Sequence, residues 1–98
     1  MSSGANRAFR GTYTGTGALV TVSTIGFRPR GVRLTSEAGD EATWNENMAD
    51  DSMHKRTAAG TGSLVTSNAV TPLGNGFSIG TDGDLNASGE VVHFEAWD

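Results

Sequence analysis

The strongest constraint on the fold of this chain is a two-residue alternation of apolar and polar side chains on both sides of one rigid corner. Ahead of the corner, Ala18, Val20 and Val22 share one side of an extended segment, while Thr21 and Ser23 share the other. Behind it, Val32 and Leu34 alternate with Arg33 and Thr35. A period of two is the geometry of a strand, whose successive side chains point to opposite faces. The β-branched residues in both segments suit a pleated surface. The corner is Gly26-Phe27-Arg28-Pro29-Arg30-Gly31. Its glycine can adopt backbone angles closed to other residues, and its proline fixes its own φ and restricts Arg28. Phe27 is placed to anchor the turn in a core.

The same pattern runs along most of the chain. Residues 9–14 read as a first strand, 18–25 as a second and 32–36 as a third. Ala38-Gly39-Asp40 is a hairpin turn into a fourth strand over 41–47, with Ala42 and Trp44 on one face. A fifth spans 63–71 and is expected to stop at Pro72, and a sixth covers 76–80. The last, over 90–97, sets Val92, Phe94 and Ala96 against Val91, His93, Glu95 and Trp97. Bulk on both faces is expected of a strand central in a sheet or covered by a neighbouring subunit. Residues 48–62 lack the alternation and contain Gly60 and Gly62, so they are expected to form a long loop, a kind of segment that tends to carry contacts or function. Short strands at intervals near ten residues, separated by glycine-rich turns, predict an all-β fold: an antiparallel β-sandwich or small barrel of about seven short strands. Residues 1–7 are expected as a flexible N-terminal arm and 8–98 as a single domain.

Composition then narrows the function. The chain has no cysteine, which removes disulfides, thiolate metal sites and cysteine nucleophiles together and fits synthesis in a reducing cytosol. No apolar run is long enough for a membrane helix, and the first residues lack the layout of a signal peptide, so no membrane role is expected. The net charge of −4 is unevenly spread. Residues 1–36 hold Arg7, Arg10, Arg28, Arg30 and Arg33 and no acid, whereas residues 37–98 hold Lys55 and Arg56 against 11 acids. One reading is a solvated surface with uneven charge. The other is a dipolar module that docks its basic side on an acidic partner or on its own copies. Two cations in the last two-thirds of the chain leave little to neutralise phosphates, so nucleic acid is not an expected partner.

Three constellations invite chemistry. Asp82-Gly83-Asp84-Leu85-Asn86 has the alternate oxygen donors of a calcium loop, but Ala87 and His93 stand where the turn glycine and the bidentate acid belong. A polar turn making local backbone hydrogen bonds is the expected form, with no metal or cofactor. His54 and His93 are the only histidines, and no nucleophile elbow accompanies them, so no catalytic residue is identified. Trp44 and Trp97, with Glu46, Asn45 or His93 beside them, offer an aromatic platform for a sugar ring; core or interface packing is the commoner use of tryptophan.

The corner at 26–34 resembles a pattern in small virion proteins of tailed bacteriophages, where a Gly-Phe-x-Pro turn leads into a strand beginning near a valine. The order of later features is similar: Trp44 before the acidic, Met-containing turn 44–48, then Gly76-Phe77-Ser78-Ile79-Gly80-Thr81, a polar loop, and the aromatic strand His93-Phe94-Glu95-Ala96-Trp97. The resemblance covers residues 11–98. It implies a capsid decoration or cement protein, or a β-sandwich module of a tail fibre, with likeness to trimeric H-type-lectin-like sandwiches. A fibre needs a shaft for which 98 residues leave no room, so the decoration role is the expectation. That role implies a homotrimer made in the host cytoplasm and bound to the outer surface of the virion through the major capsid protein. Arg7, Arg10, Arg28, Arg30 and Arg33 would then dock on the shell, and His93, Phe94 and Trp97 would pack subunits. The alternative is a carbohydrate-binding tail or fibre module that uses Trp44 and Glu46.

Overall fold

The computed structural model describes residues 7–98. Eight strands follow in order: β1 (Ala8–Thr14), β2 (Val20–Val22), β3 (Gly31–Ser36), β4 (Glu41–Asn45), β5 (Ser52–Arg56), β6 (Gly62–Leu73), β7 (Gly76–Ile79) and β8 (Val91–Trp97). All pairings are antiparallel, and they make one sheet with the order β1-β8-β3-β4-β5-β6-β7-β2. The sheet curls into a barrel that is nearly closed, as the glycine-punctuated alternation leads one to expect. The expected arm falls outside the described residues except for Arg7.

The core follows from the alternation. Val32, Leu34, Ala42, Trp44, Val92, Phe94 and Ala96 point inward from β3, β4 and β8. Phe77 of β7 sits at the centre, edge-on to Phe94 at 5.3 Å and to Tyr13 at 6.5 Å, and Phe9 stacks on Phe94 at 6.0 Å. Edge-to-face and offset rings are the favoured aromatic geometries, each worth about 0.5–1.5 kcal/mol beyond burial. At the corner Gly26 has a φ of 88°, and Phe27 is buried beneath the Arg7 guanidinium, 4.9 Å from its ring centroid. β8 lies between β1 and β3, the central position its two bulky faces suggested.

The structure differs from the expected layout in three places. Residues 48–62 are not one long loop, because β5 lies within them and raises the strand number to eight. The second strand shrinks from 18–25 to Val20–Val22, at the edge of the sheet with β7 as its one partner. The fifth expected strand does not stop at Pro72 but continues to Leu73 as β6. Proline is tolerated there because β5 pairs no further along β6 than Val70, which leaves β7 alone beside Pro72. Between Val65 and Val70, β6 bulges away from the Ser52–Met53 step of β5. Asp51 holds the bulge by accepting hydrogen bonds from the Asn68 and Ala69 amides at 3.3 and 2.9 Å.

The barrel's seam lies between β1 and β2, and the 80–90 segment bridges it. Asn86 is fully buried; its Nδ2 donates to the Ala18 and Gly80 carbonyls, and its Oδ1 accepts from Thr16 N. Backbone bonds from Gly15 to Glu90, from Gly17 to Asn86 and from Gly89 to Gly15 continue the bridge, while Leu85 plugs the core.

Candidate functional site

The register of β1, β8 and β3 sets two rows of side chains across the outer face. Arg10, Glu95 and Arg33 are in one row, and Thr12, His93 and Thr35 are in the next. Together with Gly11 and Phe94 they line an open cleft of about 470 Å³. Arg10 Nε donates to Glu95 Oε2 at 2.7 Å, and His93 Nε2 lies 2.9 Å from Glu37 Oε2. Arg33 is exposed, and among the described residues no carboxylate lies within ion-pair distance of it. The row therefore carries one more positive than negative charge. An open cleft with a free guanidinium, a second one shared with a carboxylate, and two hydroxyls can grip an acidic side chain or another anion.

Of the five arginines of the first 36 residues, Arg7, Arg10, Arg30 and Arg33 lie at or beside β8 or its neighbours, Arg28 reaches β6 instead, and three of the five are paired with acids. Arg7 binds Asp98 through backbone and side chain, and its guanidinium holds the Asp98 carboxyl below the usual carboxylate range. Arg10 is taken by Glu95, and Arg30 lies 3.6 Å from Glu46. Arg28 reaches the Pro72 carbonyl at 3.5 Å. The charge asymmetry along the chain is thus largely neutralised in space, because β8 and the β4 end bring acids from the second part of the sequence beside these arginines. Arg28 and Arg33 are the members of the set with no carboxylate within ion-pair distance among the described residues, and of the two Arg33 lies in the cleft.

The remaining expected site residues separate. Trp44 is buried to 2% exposure, with Nε1 donating to the Ala49 carbonyl at 3.1 Å, so it has no face to offer a sugar. Glu46 is exposed beside Arg30 rather than beside an aromatic platform. Phe94 is 5% exposed in the protomer core and so unavailable for packing subunits, whereas His93 is exposed on the outer face. Trp97 lies half-buried over Gly31, where a Cβ would meet the indole at 2.2 Å. An aromatic ring laid over a strand glycine replaces the missing side chain.

One constellation was not legible in the sequence. Lys55 points inward from β5, opposite Ala42, and its Nζ donates to Asp82 Oδ2 at 2.9 Å and Asp84 Oδ2 at 2.8 Å. Asp82 Oδ1 accepts from the Asp84 and Leu85 amides at 2.9 and 3.0 Å. The polar turn expected of Asp82-x-Asp84 forms, and a lysine ammonium occupies the place between its carboxylates. Burial alone would raise the Asp82 carboxyl, but the Leu85 amide, the Lys55 ammonium and the Asp84 amide outweigh it and hold it below its ordinary value. Burial works against the Lys55 charge too, and its bonds to Asp84 and Asp82 outweigh that and raise it. Tyr13, whose hydroxyl donates to the Leu85 carbonyl at 2.7 Å, is pushed well above the ordinary phenol range by burial and by Asp82. These groups lock the seam.

No protein-family model matches the chain, and comparison with curated proteins and with solved structures found no match.

Proposed function

We propose that this chain is a non-catalytic structural module that docks on an acidic protein surface through the outer face of β1, β8 and β3. In the setting its resemblance implies, it is a decoration protein of a tailed bacteriophage, bound to the outside of the shell where major capsid subunits meet. The observation that carries the docking is Arg33. It is an exposed guanidinium without an internal carboxylate partner, set in an open cleft beside Arg10, Thr12 and Thr35. Arginine supplies a planar fork of donors that matches a carboxylate, and a charge at an interface rim acts mainly on encounter rate and orientation.

The work of such a module is mechanical. A barrel locked at its seam bridges neighbouring subunits, so that pressure from packaged DNA has to break its contacts before the subunits part. Each contact is modest, and many copies on one shell add through avidity. Co-sedimentation with empty shells of the phage that encodes the chain tests the reading. Binding is expected to weaken as salt rises, and Arg33→Glu is expected to reduce it at least tenfold with the circular dichroism spectrum unchanged. Wild-type protein that stays in the supernatant at every salt concentration overturns the proposal.

A further inference from the structure

The hairpin between β6 and β7 turns through two residues, Gly74 and Asn75, beyond the paired Leu73 and Gly76. Asn75-Gly76 is the chain's only Asn-Gly step. The other asparagines are followed by Arg7, Glu46, Met48, Ala69 and Ala87, each of which carries a Cβ. The difference is chemical. A backbone nitrogen can close on the side-chain carbon of the asparagine before it, and a Cβ on the attacking residue hinders that approach. Glycine has none.

The fold requires glycine at this place. A Cβ on Gly76 would overlap the Val22 carbonyl of β2, which pairs with β7 from the next residue onward. The turn, in contrast, is poorly matched to its hairpin. Two-residue hairpin loops favour positive φ at the first loop residue or at both, because that follows the twist of the strands. Neither Gly74 nor Asn75 has it. Both are exposed, and a Cβ at Gly74 would meet nothing within 4 Å. A hairpin tip with few contacts and a mismatched turn opens at low cost. Opening is what the reaction needs, since the Gly76 nitrogen has to leave the β6–β7 pairing to reach Asn75 Cγ.

We propose that Asn75 is a site of spontaneous covalent modification, deamidation through Gly76. The Gly76 nitrogen gives its proton to hydroxide and bonds to Asn75 Cγ. The Cγ–Nδ2 bond breaks, and the leaving amide takes a proton from water and departs as ammonia. Water then opens the resulting cyclic imide. Cleavage of the bond from nitrogen to Cγ gives aspartate. Cleavage of the bond from nitrogen to the backbone carbonyl carbon gives isoaspartate, with a main chain one carbon longer. The structure gives the longer product a consequence. The Asn75 carbonyl accepts from the Gly26 amide at 3.3 Å, at the corner where Phe27 is buried. In isoaspartate the main chain runs through Cγ and that carbonyl becomes a free carboxylate, so the turn no longer aims it at Gly26.

The test keeps the full chain at mildly alkaline pH and maps its protease fragments by mass spectrometry. Exchange of the amide NH2 for OH is expected at Asn75, divided between aspartate and isoaspartate, at least tenfold ahead of every other asparagine and faster as pH rises. Asn75→Gln, whose longer side chain would have to close a larger ring, is expected to stay unmodified at that position. Hydrogen exchange at the Gly26 amide is expected to quicken in the isoaspartate fraction and to stay slow in Asn75→Asp, which carries the same charge on a normal backbone. Asn75 that survives in the folded chain after the free peptide Leu-Gly-Asn-Gly-Phe has converted overturns the proposal, and so does conversion led by another asparagine.

Discussion

Replacing Lys55 by methionine keeps an unbranched apolar stem of nearly the same length and removes the ammonium between Asp82 and Asp84. Breaking a fully buried pair by removing one partner costs roughly 3–5 kcal/mol, because the other charge is left buried. Asp82 is 7% exposed at its side chain but keeps two backbone N–H donors, and Asp84 is 41% exposed and can turn to water. The expected loss at neutral pH is therefore about 2–3 kcal/mol. At about 4–8 °C per kcal/mol for a domain of this size, the melting temperature falls by roughly 10–20 °C. The pH profile tests the cause. The folded-state pKa of Asp82 lies below its ordinary 3.8, so its contribution is present above that value and is lost as pH falls through the folded one. The folded-state pKa of Lys55 lies above its ordinary 10.5, so its contribution is present below that value and is lost only as pH rises beyond it. The gap between wild type and Lys55→Met should hold steady across the neutral range and shrink as pH falls below about 3.8. Urea denaturation across pH measures it. A neutral-pH difference under about 0.5 kcal/mol, or a gap that does not narrow in acid, refutes the role given to the triad.

Other substitutions test separate parts of the fold. Tyr13→Phe removes the donor to the buried Leu85 carbonyl and is expected to cost about 1–2 kcal/mol in urea denaturation. Asp51→Ala takes away the acceptor that holds the Asn68 and Ala69 amides, and about 1–2 kcal/mol is expected, with faster hydrogen exchange confined to the β6 bulge. Gly31→Val drives a side chain into the Trp97 indole and should shift tryptophan emission to the red, while Trp44 remains buried.

The parts of the fold legible in the sequence are those where a strand has one apolar and one polar side. Val32 and Leu34 against Arg33 and Thr35, and Val92, Phe94 and Ala96 against His93 and Glu95, give β3 and β8 with their faces correctly assigned. β5 is not legible as a strand because only Met53 among its inward residues is apolar. Lys55 also faces in, and the acids that make this tolerable lie 27 and 29 residues further along. Local alternation does not report a partner so distant. Pro72 does not end its strand for a related reason: proline stops a strand where a second neighbour needs its N–H, and β5 does not reach it. For the candidate site, the arginines were visible as residues, but their pairing was not. Glu95 and Asp98 reach Arg10 and Arg7 through the β1–β8 ladder, across separations of 85 and 91 residues. What singles out Arg33 is register, which places it on β3 beside a carboxylate already engaged by another arginine.

The central functional claim is that this barrel occupies fixed positions on a shell through its β1–β8–β3 face. Electron cryo-microscopy of empty shells mixed with the protein tests it most directly. Density for the barrel at symmetry-related sites where capsid subunits meet, with Arg33 turned toward the shell and the density lost with Arg33→Glu, is the predicted result. Shells that remain bare, or density that contacts the shell through the β2–β7–β6 side, contradict it.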